Sequence, residues 1–285
     1  MEYYKHETES NAKYAVLIVL AGLFVFDLWS VISGLSRGFD VGLMEFVYGV
    51  RDEFLNVIMG FITRAGDTIT ITIICVVLVV LPTRVRFGIP AAGAAVVAGL
   101  VQYALRHLID RARPDEAMWL ILPEDGFSFP SGHANASFVF YLFLMVLLRR
   151  FFIINKSYGA ANLVSVALPL LVAVVGVSRL YLGVHYATDV IGGWLLGAVL
   201  LIALVALYDN FYPPRNRISF DAPSWEYARR RRPWRKPQVS NPSEELIEFP
   251  KHRGKWKRPG TTAKRRALEE DANSEPPNST PPIRR

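Results

Sequence analysis

Residues 176–189 read Gly-Val-Ser-Arg-Leu-Tyr-Leu-Gly-Val-His-Tyr-Ala-Thr-Asp, with a long apolar run on either side. An ionised group in hydrocarbon costs several kcal/mol, so an Arg, a His and an Asp retained between two membrane-length runs mark a functional stretch. His185 and Asp189 are four positions apart, so on a helix they would share one face. An imidazole with a carboxylate behind it is a recurring way of holding a base or nucleophile in one tautomer.

Outward from this stretch the chain alternates between apolar blocks of about twenty residues and short polar loops, the pattern of a multi-spanning membrane protein. Its hydrophobic content, 52%, is too high for a soluble domain of 285 residues. The expected fold is all-α: a six-transmembrane-helix bundle with spans at 14–35, 67–81, 87–105, 134–148, 160–177 and 188–207. Residues 41–63 repeat Leu43, Phe46, Val47, Val50, Phe54, Val57, Ile58 and Phe61 at helical spacing, with Arg51, Asp52 and Glu53 at the centre. That pattern predicts an amphipathic interfacial helix, lying on the membrane or covering the bundle. Ala91, Ala95 and Gly99, and Gly193 with Gly197, offer small residues for close helix contact. Asp27, inside the first span, reads as an interface residue or one packed against another helix. Cys75 is the only cysteine, which excludes an intrachain disulfide and a Cys-based metal site.

Charge divides the chain. Residues 1–212 carry 14 Lys and Arg against 16 Asp and Glu, whereas 213–285 carry 18 against 9. The expected organisation is a cytoplasmic N-terminus (1–13), a membrane domain (14–208) and a disordered basic cytoplasmic tail (209–285). Six spans place both termini on one side, and the basic loops 82–87 and 149–158 make that side cytoplasmic. The Arg229–Arg232 run, flanked by Trp225, Tyr227 and Trp234, suits anionic lipid as a partner, or simply anchors the last span. No nucleic-acid-binding fold accompanies the charge, and nucleic acid is not an expected partner.

Three polar stretches then share the outer face: 106–114, 129–133 and 178–189. Together they hold arginines suited to phosphate oxygens, two histidines suited to nucleophile and general-acid roles, and a Gly-containing helix start at Ser131–His133 that favours an anion. The outer carboxylates Asp110, Asp115, Glu116, Glu124 and Asp125 lack a paired metal motif, so no metal and no cofactor is expected. Arg111 with Asp110 reads as a surface pair, His107 as a loop or interface residue, and Tyr181 and Tyr186 as members of an interfacial aromatic belt or of the lipid entrance.

These residues resemble the type 2 phosphatidic acid phosphatase superfamily, whose motifs are Lys, six residues, Arg-Pro; Pro-Ser-Gly-His; and Ser-Arg, five residues, His, three residues, Asp. The second is complete at Pro130–His133 and the third at Ser178, Arg179, His185 and Asp189. The first is matched at Arg113-Pro114, with Arg106 where the family has Lys. The resemblance implies that His185 attacks phosphorus, Asp189 orients it and His133 protonates the leaving oxygen. It also implies that Arg106, Arg113, Arg179, Ser131 and Gly132 bind the phosphate.

The expected function is hydrolysis of a lipid phosphate monoester or polyprenyl pyrophosphate at the outer face of the plasma membrane, through a phosphohistidine. Two other readings stand beside it: transfer of the same phosphate to another lipid, and a catalytically degenerate scaffold or sensor acting through the tail.

Overall fold

The computed structural model describes residues 2–123 and 126–212, with side chains from residue 12 onward. Expectations for the basic tail, Glu124 and Asp125 lie outside the described residues. Among the described residues the fold is entirely helical: α1 Glu2–Ile32, α2 Arg37–Gly49, α3 Glu53–Ile62, α4 Thr68–Val80, α5 Gly88–Ile109, α6 Gly132–Ile154, α7 Tyr158–Tyr181 and α8 Ala187–Phe211, with 3₁₀ turns at Thr63–Gly66 and Glu116–Met118. Five helices are long and apolar enough to cross a membrane: the Ala12–Ile32 part of α1, then α5, α6, α7 and α8. A sixth crossing exists only if Glu53–Gly66 and Thr68–Val80, bent by 48°, count together. Alone, α4 has 13 residues, a rise of about 20 Å against about 30 Å of hydrocarbon.

Helix α6 is the central element, touching α5, α7, α8 and α4, while α1 packs on α8. Its buried Val139, Phe140, Phe143 and Leu147 meet Ile71, Cys75, Ala91, Ala94, Ala98, Val172 and Tyr208. Large apolar side chains point outward elsewhere, including Ile18 (70% exposed), Val80 (77%) and Leu163 (67%). In a bilayer that outer face is satisfied by lipid, and close helix contact comes from small residues. A Cβ at Gly193 would stand 2.9 Å from both Ala134 Cβ and the Ser131 carbonyl oxygen, and one at Gly197 2.9 Å from Phe138 Cβ. The Gly193/Gly197 pair therefore lets α8 press against α6.

Two expectations are corrected. The buried small face of α5 is Ala91, Ala94 and Ala98, and Gly99 points outward. Every fourth residue drifts about 40° around a straight helix, so a strict i, i+4 row leaves the contact face. The stretch 41–63 is two helices rather than one. Asp52 breaks it with an extended backbone and caps α3, its Oδ1 accepting from the amides of Phe54 (2.7 Å) and Leu55 (3.0 Å). The charges at 51–53 thus mark a helix boundary.

Both ends of α3 are tied to the last turn of α7. The Asp52 amide donates to the Tyr181 hydroxyl at 3.1 Å, that hydroxyl donates to Asn56 at 2.9 Å, and Arg179 donates to Thr63 at 2.9 Å. Tyr181 is thereby buried, at 5% exposed, and does not belong to an exposed belt.

A Cβ at Gly176 would lie 2.2 Å from Trp194 Cζ2. Gly176→Ala is expected to destabilise the bundle by about 1–3 kcal/mol through overpacking, seen as a lower Tm in detergent. Gly22→Ala, with nothing within 4 Å, should leave Tm unchanged or slightly raised.

Candidate active site

The nucleophile candidate sits in the connection between α7 and α8. Helix α7 ends at Tyr181, and Gly183 turns the chain with φ +77°, where a Cβ would strike the Met118 carbonyl oxygen at 2.0 Å. Glycine is required there by both conformation and space. Asp189 is the third residue of α8, and its Oδ2 accepts the Tyr186 amide at 2.8 Å. Helix capping thus holds the carboxylate in place before any catalytic partner is considered.

Asp189 is fully buried and has three further partners. The Ser128 hydroxyl donates to Oδ2, Arg111 Nη1 donates to Oδ1 at 2.5 Å, and His185 Nδ1 lies 3.5 Å from Oδ2. Nδ1 also lies 3.4 Å from the Ser128 hydroxyl, and the tautomer with its proton on Nδ1 puts the ring lone pair on Nε2. Arg113 Nη1 is 3.3 Å from that Nε2 and donates to the Val184 carbonyl at 2.8 Å. Burial drives the His185 pKa down to about 3, against the opposing pull of Asp189 and with help from Arg179 and Arg113. A neutral ring is the form a nucleophile needs.

Arg111 is the residue that sequence reasoning misplaced. It does not pair with Asp110, which ends α5 in the left-handed region at φ 54°. Instead Arg111 Nη2 donates to Asp40 of α2 at 2.6 Å, while its Nη1 reaches Asp189 and, at 2.8 Å, the Thr188 hydroxyl. Asp40 is completely buried and also accepts the Thr188 amide at 3.0 Å and hydroxyl at 2.7 Å. Burial pulls the Arg111 pKa down, but Asp189 and Asp40 more than offset this and raise it. The guanidinium lies 4.4 Å above the half-buried Tyr186 ring, so this tyrosine too is an internal contact. Asp40 gave no signal beyond its place in an amphipathic stretch. Asp27 fits its packed-helix reading: at 8% exposed, its Oδ2 would meet a Cβ at Gly192 of α8 at 2.8 Å.

The second motif is joined directly to the third. The Ser131 amide donates to the Asp189 carbonyl at 2.9 Å, and Ser131 stands at the N-cap position of α6 without a side-chain capping bond. Its hydroxyl oxygen is buried with no hydrogen-bond partner among the described residues, an open valence suited to an anion. Gln102 Nε2 holds the Pro130 carbonyl at 3.0 Å and packs against Gly132. His133 is 3% exposed, with Nε2 2.5 Å from Asp67 Oδ1. Arg106, in the last turn of α5, donates from Nε to the Phe127 carbonyl at 2.5 Å, next to the Ser128 that holds Asp189. His107, in the same turn, is exposed and bonds only its own helix, 2.8 Å from the Tyr103 carbonyl.

All eight expected site residues therefore gather at one end of the bundle, though not in one open pocket. A cavity of about 560 Å³ is lined by His133, Arg179, Asp67, Arg64, Thr63 and residues of α3 including Phe61. His185, at 2% exposed, lies buried. Among the described residues, no group of three His, Cys, Asp or Glu is placed to hold a metal ion.

Residues 87–213 match the PAP2 superfamily. It is 38% identical over 112 residues to phosphatidylglycerophosphatase B of Bacillus subtilis (strain 168), covering 39% of this chain and 52% of that one. The chain thus spans about half the length of that relative. Against an undecaprenyl-diphosphatase of Sulfolobus acidocaldarius it is 28% identical over 200 residues, covering 65% of this chain and 87% of the other. The crystal structure of a transmembrane PAP2 type phosphatidylglycerolphosphate phosphatase from Bacillus subtilis superposes with a TM-score of 0.61 at 24% identity, covering 67% of this chain and 94% of that one. That likeness shows the PAP2 membrane fold. The PAP2 segment begins at α5, so α1 to α4, which supply Asp40 and Asp67, lie before it.

The depressed His185 pKa fixes a sign. Between about 6.5 and about 3 the unfolded chain takes a proton on this ring that the folded chain refuses, so His185 lowers stability as pH falls through that window. In the unliganded protein the His185 ring resonance, assigned by its loss in His185→Asn, should stay that of a neutral imidazole from pH 8 to pH 5. A midpoint near 6.5 would contradict the buried neutral ring.

Proposed function

We propose that this protein belongs to the PAP2 superfamily and is an integral-membrane lipid phosphatase that works through a phosphohistidine on His185. The observation that carries the reading is the His185–Asp189 pair at the start of α8, with Nε2 facing the Arg113 guanidinium. The similarity to phosphatases named for lipid phosphates and diphosphates supports the substrate class.

The steps follow from the residues present. Arg113, Arg179, Arg106, the Ser131 hydroxyl and the Gly132 amide neutralise the phosphate oxygens, which otherwise repel a nucleophile. His185 Nε2 forms the P–N bond as the bond to the lipid oxygen breaks, and His133 gives that oxygen its proton. Asp189 balances the charge that appears on His185. Water then attacks the phosphohistidine, His133 takes its proton, and inorganic phosphate leaves with His185 neutral again. Arg106 keeps the charge of the family's Lys, and its Nε donates to the Phe127 carbonyl.

The topology belongs to the same proposal. Counted with its bent partner, α4 makes a sixth crossing, both termini lie in the cytoplasm and the site faces outside. α3, the outer arm of that bent crossing, is tied at both ends to the last turn of α7 and carries the exposed Val57 and Phe61 at the cavity. A headgroup reaches His133 and Arg179 from the cavity beneath α3 while its chain stays in the bilayer. The membrane domain 14–208 carries the activity, and the basic tail attracts anionic lipid.

Purified full-length protein should release inorganic phosphate from phosphatidylglycerophosphate or undecaprenyl diphosphate in detergent, with EDTA present. His185→Ala should lose at least about 1000-fold in kcat, and Arg113→Ala about 100-fold or more. Full turnover by the His185 variant would overturn the mechanism.

A further inference from the structure

The carboxylate of Asp67 has no part in the steps above, yet the fold is built to deliver it. The 3₁₀ turn Thr63–Gly66 interrupts the helical path between α3 and α4, and it does so beside the site. Broken backbone at membrane depth is tolerated only where it is buried in protein or lines a cavity. Here it does both. The Ala65 carbonyl accepts the Tyr141 hydroxyl of α6 at 2.7 Å, and the Thr63 hydroxyl accepts Arg179 of α7 at 2.9 Å. Gly66 packs against His133 itself, where a Cβ would stand 3.1 Å from the ring Cδ2 and 2.7 Å from Val175 Cγ1. No larger residue brings the turn this near the imidazole.

Asp67 then occupies the N-cap position of α4, where aspartate is among the best residues. Its side chain makes no capping bond. It turns away from the helix it should cap and places Oδ1 2.5 Å from His133 Nε2. Asp67 is half-buried and lines the same cavity as His133, Arg179 and Arg64.

We propose that Asp67 is a positioning residue for the general acid: it fixes the His133 ring and balances the charge of its doubly protonated form. The inference rests on the phosphatase reading and extends it. The charged ring carries two protons, one held between Nε2 and Asp67. As the P–O bond breaks, one of the two passes to the leaving oxygen and the ring becomes neutral. When water attacks the phosphohistidine, the ring regains a proton and the ion pair re-forms. The site is thus built on two Asp–His pairs. Asp189 serves the ring that must be neutral before attack, and Asp67 the ring that must be charged.

The test compares leaving groups in one preparation of full-length protein. An alkyl lipid phosphate needs a proton on its leaving oxygen, whereas p-nitrophenyl phosphate expels a stable phenolate and needs little help. Asp67→Asn should reduce kcat on the lipid phosphate by about 10- to 100-fold, within the range of general-acid effects. The loss on p-nitrophenyl phosphate should stay below about threefold. His133→Ala should show the same split, and Asp67→Glu should recover most of the lipid phosphate rate. Formate in the buffer should partly restore Asp67→Ala, because the carboxylate faces the cavity, and should not restore His133→Ala. Equal losses on both substrates, or an unchanged lipid phosphate rate in Asp67→Asn, would overturn the role. Full activity of His185→Ala in the same assay would instead overturn the phosphatase reading beneath it.

Discussion

The Asp189 carboxylate is the contact on which the rest of the site depends. A fully buried anion in a membrane protein is expensive unless every lone pair is engaged. Here one oxygen meets Arg111, and the other meets the Tyr186 amide, the Ser128 hydroxyl and the Nδ1 side of His185. The partners come from two separate connections of the chain. Satisfying this one group therefore draws together the α5–α6 loop, the α7–α8 turn and, through Arg111, α2. The Ser131 amide on the Asp189 carbonyl adds the start of α6.

The bilayer explains why this assembly can form at all. Lipid satisfies the outward-facing Leu, Ile, Val and Phe side chains, so helices gain little from hiding them and approach where small residues allow it. Gly193 and Gly197 bring α8 against α6 just below the site, and Gly176 makes room for the Trp194 indole between α7 and α8. The glycines and the charges do different work. The first set the distance between helices, and the second hold the polar end together where water and headgroups reach it.

Much of this was legible in the residues. Helix positions followed from block length and hydropathy, and the eight motif residues were named through the resemblance of their motifs to the type 2 phosphatidic acid phosphatases. The failures share a cause. Arg111 looked like the surface partner of Asp110 because a neighbour in sequence is the only partner visible without coordinates; its actual partner, Asp40, is 71 positions away. Asp67 looked like the polar start of a span, and nothing local says that an N-cap aspartate will decline its cap. The stretch 41–63 kept one hydrophobic rhythm across two helices, because periodicity records a face and is blind to a cap such as Asp52.

The sequence by itself determined the class of the protein and its chemistry. Apolar blocks of membrane length permit little but helices, and three ordered motifs carry the resemblance on which the proposed phosphate site with two histidines rests. Tertiary structure alone decided which carboxylate lies beside which histidine, which arginine reaches Asp189 and which reaches His185, and where the helical path breaks. Local patterns encode burial and helix ends, since these depend on a residue and its near neighbours. Pairings such as Arg111 with Asp40 or His133 with Asp67 depend on how whole helices cross, and that geometry exists only in the packed bundle.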